Sequence, residues 1–153
     1  MRGFKFFVFA WLVAGALDIT SAFVYQGLGP SHIGPLAILR SVASGPFGDH
    51  MKDEGMLGAL AGMGVHFALM ANMTTVFVLA CQFFPILRRQ PAVTGVAYGL
   101  LVYLTMYFVV LPLRYPGFVP HNPVGIAEQL FSHLILVGLS MSLIASRGFK
   151  AQK

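Results

Sequence analysis

From Leu57 to Phe84 the chain reads LGALAGMGVHFALMANMTTVFVLACQFF. These 28 residues pass without one Asp, Glu, Lys or Arg. A helix needs roughly 20 apolar residues to cross a bilayer core, so the stretch reads as membrane-spanning. Three other runs, 6–28, 93–113 and 125–144, share the pattern, with Asp18 and Glu128 as their only formally charged residues. Together the four predict an all-α membrane protein. The expected fold is a four-helix antiparallel transmembrane bundle, a single transmembrane domain over residues 1–153.

Composition agrees. The chain is 57% hydrophobic and 10% charged, with a mean hydropathy of +0.77. Soluble domains carry about 25% charged residues. The net charge of +5 is no sign of nucleic acid, because the basic residues sit at span ends, where topology places them. Cys81 is the only cysteine, so an internal disulfide is excluded. Arg2, Lys5 and the run 6–17 imitate a signal peptide, with Thr20-Ser21-Ala22 as its cleavage site. Asp18 and the continuation of the apolar run to Leu28 favour a retained first span.

Lys and Arg near span ends set orientation. Arg2, Lys5, Arg88, Arg89, Arg147, Lys150 and Lys153 fall on one side, and Arg40, Lys52 and Arg114 on the other. Both termini are therefore expected in the cytoplasm. Residues 85–92 form a tight turn, which predicts antiparallel neighbours in spans two and three. The outer connection 29–56 contains a helix-start proline, Pro35, followed by apolar residues on one side. It predicts a short interfacial helix, with an ordered loop over the bundle as the alternative. Four prolines in 112–124 exclude a continuous helix there.

Span two carries small residues at Gly55, Gly58, Ala59 and Gly62, ahead of His66. Spacings of three and four put them on one face, where small residues let helices approach closely in lipid. The stripe predicts a tight helix contact. A cofactor groove and room for a ring beside His66 are its alternatives.

Ionisable groups inside a bilayer cost several kcal/mol and face the bundle interior. Asp18, His66 and His133 fall in one layer when depth is counted at about 1.5 Å per residue. Tyr103 and Tyr107 lie near it, Glu128 a turn in from the outer end of span four, and Asn72 one to two turns deeper. Each has a plain structural reading as a helix-packing hydrogen-bonder. Their convergence predicts an intramembrane polar cluster that exchanges a proton, since histidine titrates near neutral pH beside a carboxylate that favours its charged form. A competing reading makes His66 and His133 axial ligands of haem b, or ligands of a metal together with Asp18 and Glu128. The spacings carry no compact metal signature. The outer group His32, Asp49, His50, Lys52, Asp53 and Glu54 reads as a solvated surface. Nucleotide-binding and nucleophile motifs are missing from the sequence.

Ala43-Ser44-Gly45-Pro46-Phe47-Gly48, then Gly55, Gly58 and Gly62 before His66-Phe67, then Tyr98-Gly99 and Leu111-Pro112 resemble a group of small bacterial four-span inner-membrane proteins of the YagU type. The resemblance covers most of the chain through short glycine-rich motifs. It implies an inner-membrane location and four helices, and supplies no catalytic residue. The expected function is that of a non-enzymatic integral membrane protein, with no resident cofactor. It is either an accessory subunit of a larger membrane complex or a small proton-linked factor. The bilayer, and further copies or subunits, are its expected partners.

Overall fold

The computed structural model describes residues 2–29 and 32–150. Among these there are helices and turns but no strand. Helix α1 covers Arg2–Leu28, α2 Pro35–Phe47, α3 Gly55–Phe83, α4 Pro91–Arg114 and α5 Pro123–Phe149. Short 3-10 turns, Asp49–Lys52 and Pro85–Arg88, lead into α3 and out of it. The helix starts are legible chemically. Proline opens α2, α4 and α5, where its missing N–H is no loss. Asn122 also caps α5, its side-chain oxygen accepting from Val124 N at 3.1 Å.

Helices α1, α3, α4 and α5 are each long and apolar enough to cross a membrane. Their outward surfaces are apolar too: Leu12, Val24, Leu60, Val76, Leu101 and Phe108 are all exposed. A soluble protein rarely leaves so much continuous apolar surface in water. The chain is thus a multi-pass membrane protein whose outer face meets lipid. The spans match the expected boundaries to within a few residues, except that α5 runs on past Ile144 to Phe149. A helix does not have to stop where the apolar run stops.

The core lies between α1, α3 and α5. Ala10 and Ala14 of α1 meet Met70, Phe77 and Cys81 of α3 and Val137, Met141 and Ala145 of α5. Trp11 Nε1 donates to the Phe67 carbonyl at 2.7 Å, tying α1 to α3. Helices α4 and α5 make the closest backbone contact among the spans. A Cβ on Gly95 would stand 2.7 Å from the Gly138 carbonyl oxygen, and one on Gly99 would overlap the His133 carbonyl. This small-residue crossing went unread in the sequence. Helix α4 reaches α3 mainly through Tyr98, whose ring lies tilted against Phe77 at 5.0 Å and whose hydroxyl donates to the Met73 carbonyl at 2.7 Å.

The small-residue face of α3 does make a close helix contact, and its chief partner is α2. Gly58, Ala59 and Gly62 are buried under α2 and the Met51 carbonyl, with Ile19 of α1 beside Ala59. A Cβ at Gly62 would overlap the Leu39 carbonyl, and one at Gly58 would lie 3.1 Å from Arg40 Cγ. Leu39, Ala59 and Ile19 form a small cluster flanked by Phe23 and Met63. Gly55 does not belong to this face. A Cβ there meets nothing within 4 Å, and its φ of +54° shows what glycine supplies: a left-handed turn into α3.

Two stretches have π-helical turns, Met106–Val110 in α4 and Ser132–Leu139 in α5. The first precedes Pro112. A proline has no N–H for the carbonyl four residues back, and a widened turn absorbs the mismatch.

Candidate functional site

Asp18 sits ten residues in from the Leu28 end of α1, about 15 Å along the axis. His66 lies at a matching depth in α3 and Ser132 in α5. The three meet. Ser132 Oγ donates to Asp18 Oδ1 at 2.6 Å, and His66 Nδ1 stands 4.0 Å from Asp18 Oδ2. Each carboxylate oxygen therefore faces a different helix. Ser21, one turn along α1, donates to the Asp18 main-chain carbonyl at 2.7 Å and lies 3.0 Å from Ser132 Oγ.

The orientation of His66 is set by its other nitrogen. Nε2 lies 2.9 Å from the Gly15 carbonyl. A carbonyl only accepts, so Nε2 carries the hydrogen. In the neutral ring the lone pair is then on Nδ1, aimed at Asp18. His66 and Ser132 are buried, at 7% and 2% exposure. Among the described residues, no Lys or Arg pairs with Asp18. The pair can thus share one proton between carboxyl and imidazole. The 4.0 Å gap exceeds a direct hydrogen bond, so transfer requires a small approach of the two groups.

His133 belongs to an adjoining group. Its Nδ1 lies 2.9 Å from the Gln129 carbonyl, and its ring packs edge-on against Tyr103 at 5.9 Å and Tyr107 at 6.1 Å. The two tyrosine rings stack at 4.7 Å. The neighbours Ser132 and His133 thus face different helices, α1 and α4. Asp18 and His66 share one centre, while His133 abuts it through the chain.

Two predicted members stand apart. Asn72 is exposed on the outer surface of α3. Six residues beyond His66 is a turn of about 240° at 100° per residue, so Asn72, deeper by one to two turns, also points to another face. Glu128 is half-buried, one turn outward of Ser132. Neither forms a hydrogen bond or ion pair with the cluster. Ser21 was expected as a bonding partner of Asp18 and is one, through the main-chain carbonyl; Ser132 was the residue missed, its only signal its place beside His133.

As for a metal, no group of three or more His, Cys, Asp or Glu side chains among the described residues is placed to hold one. For haem, His66 as arranged has Nε2 taken by Gly15 and Nδ1 turned to Asp18, so neither nitrogen is open to an iron.

At the same end of the bundle lies a second polar assembly. Arg114 Nε donates to the Gly45 carbonyl at 2.8 Å and Nη2 to the Ser44 carbonyl at 3.1 Å. It thereby caps the last carbonyls of α2 and ties that helix to α4. Tyr115 Oη lies 3.0 Å from Ser44 Oγ. Asp49 pairs with Lys52 at 2.7 Å and Arg114 at 3.4 Å. The hydrogen bond from Lys52 holds the Asp49 carboxyl below the usual carboxylate range, and the same bond raises Lys52. His32, His50, Asp53 and Glu54 are exposed.

No family model matches the chain, and neither a curated protein nor a solved structure matches it.

Proposed function

We propose that this chain is a small proton-linked factor of the bacterial inner membrane, similar to the YagU type. It exchanges a proton through Asp18 and His66 and works as an oligomer or as a subunit of a larger membrane complex. The carrying observation is the Asp18–His66 pair. A carboxyl and an imidazole from two spans face each other at 4.0 Å, with the imidazole lone pair aimed by the Gly15 carbonyl. Ionisable groups placed within membrane spans in this way mark proton relays in membrane proteins. Four spans make a thin wall around any path, which is the reason for assigning further copies or partners.

The test is proton movement into liposomes containing the purified protein, followed with a pH-sensitive dye under an imposed potential. Movement above that of empty vesicles, lost in Asp18→Asn and His66→Gln, is the expected result. Equal movement in all three proteins would overturn the reading. The visible absorption spectrum examines the haem b alternative. A Soret band lost in His66→Ala would replace proton exchange with redox chemistry.

A further inference from the structure

Helices α1, α3 and α5 part at the end of the bundle away from α2. Phe6 and Phe7 of α1, Val78 and Gln82 of α3, and Gly148 and Phe149 of α5 line a cleft there of about 60 Å³. One water needs about 10–15 Å³ of such space, so the cleft has room for several. Apart from Gln82 those six walls are apolar, and water finds few hydrogen-bond partners in them. Phe6, Phe7, Val78 and Phe149 are half-buried and Gln82 is exposed. The cleft therefore opens on the surface that meets lipid, and an acyl chain matches its walls.

The same end carries charge of one sign. Arg2, Lys5, Arg88, Arg89, Arg147, Lys150 and Lys153 belong to it, whereas Asp49, Asp53, Glu54 and Glu128 belong to the opposite end and Asp18 lies inside the bundle. Arg88 joins this charge to the cleft. Its Nε donates to the Cys81 carbonyl and its Nη2 to the Gln82 carbonyl at 3.1 Å. Its guanidinium carbon stands 4.2 Å from the centre of the Phe149 ring, within cation–π range. Gln82 and Phe149, two walls of the cleft, thus hold the guanidinium in place. A guanidinium has five N–H donors in a fixed fork. The two carbonyls occupy its Nε side, and the other three donors have no acceptor among the described residues. Lys5 and Arg147 are exposed, and each is the chain neighbour of a cleft residue, Phe6 and Gly148.

We propose that this end of the bundle seats one anionic phospholipid. An acyl chain lies in the cleft, and the headgroup phosphate takes the open donors of Arg88, with Lys5 and Arg147 adding attraction from the rim. Basic pockets between spanning helices recognise anionic headgroups in this way, and a guanidinium fork matches phosphate oxygens two at a time. A zwitterionic lipid with the same chains fills the cleft equally. Its ammonium, however, enters a positive field that holds no carboxylate to receive it, so the site selects by headgroup charge. Phe6 and Val78 each stand twelve residues from Asp18 and His66, about 18 Å along the axis. The lipid site is therefore separate from the proton-exchange reading.

Native mass spectrometry of the full chain counts the bound lipid. The protein is released from micelles holding equal amounts of phosphatidylglycerol and phosphatidylcholine with identical chains. The expected spectrum shows one phosphatidylglycerol retained in preference to phosphatidylcholine. Arg88→Gln should cut that preference about fivefold, the attraction of one basic residue near an anionic headgroup. Val78→Phe fills the cleft without changing charge, and it should lower retention of both lipids. Equal retention of the two lipids by the unmodified protein overturns the proposal. So does a preference unchanged in Arg88→Gln, or retention unchanged in Val78→Phe. Arg88 also caps the last carbonyls of α3. If Arg88→Gln does not fold by circular dichroism, the double variant Lys5→Gln with Arg147→Gln takes its place, with the same two outcomes. If Val78→Phe does not fold, Gln82→Phe blocks the cleft from its exposed wall. Lipid retained without proton movement in liposomes removes only the proposed function, and movement without a lipid preference removes only this site.

Discussion

The carbonyl of Leu39 occupies the space that a side chain at Gly62 would fill. That contact seats α2 on α3, and it involves main chain on one side, which cannot turn aside as a rotamer does. Replacing Gly62 with Leu should therefore push α2 off the bundle. Overpacking costs about 1–3 kcal/mol, and this site belongs at the upper end. Thermal unfolding in detergent should fall, and a probe on α2 should become mobile. Unchanged stability would mean that α2 is not held by this face.

Asp18 and His66 should behave as coupled neighbours. Leaving one of a buried polar pair alone costs more than removing both. The double substitution Asp18→Leu with His66→Leu should thus lose less stability than the two singles summed, by about 0.5–3 kcal/mol. Measured additivity would separate them into independent structural residues.

The distribution of basic residues predicts orientation. Seven of ten Lys and Arg lie on the side of the two termini and the 85–92 turn. Reporter fusions after Lys153 and within 114–122 should report opposite compartments, with the C-terminal one cytoplasmic. A periplasmic C-terminus would invert the topology and the side from which the Asp18 layer is reached.

The Asp49–Lys52 pair predicts a pH window for the outer connection. Asp49 is lowered on folding, so its contribution is present above an ordinary aspartate value of about 3.9 and is lost as pH falls through the lower folded value. Lys52 is raised, so its contribution is present below about 10.4 and is lost as pH rises through the higher folded value. NMR titration should put the Asp49 midpoint below that of an ordinary aspartate, and Lys52→Met should return it upward. Both groups are solvent-exposed, so added salt should weaken the effect. A midpoint indifferent to Lys52→Met would rule the pairing out.

Span existence was legible from charge-free length alone, because hydrocarbon admits few alternatives. Depth was legible too: counting residues from span ends put Asp18 and His66 in one layer, and they stand 4.0 Å apart. Angle was the weaker guide. Asn72 shares a helix with His66 yet faces outward, since depth says nothing of rotation. Ser132 was hidden for another reason. A hydroxyl in an apolar helix usually returns its hydrogen to the preceding turn, as Thr74 does to Met70 at 2.8 Å, so only the fold tells a linking serine from a self-satisfied one. The glycines 95, 99 and 138 lay in runs with no polar marker to align them. The stripe on α3 was visible as a face, and the short helix of the first connection was expected too, but a face does not name its partner, so nothing in the sequence joined the two.

Helix α2 has a further consequence for the membrane itself. At 13 residues it measures about 20 Å, too short to cross, and it lies beside α3 only as far as Gly62. A section through the α2 end of the bundle cuts five helices, while a section through the opposite end cuts four. The protein tapers. It displaces more lipid area from one leaflet than from the other, so the lateral pressure of the bilayer bears unequally on its two halves.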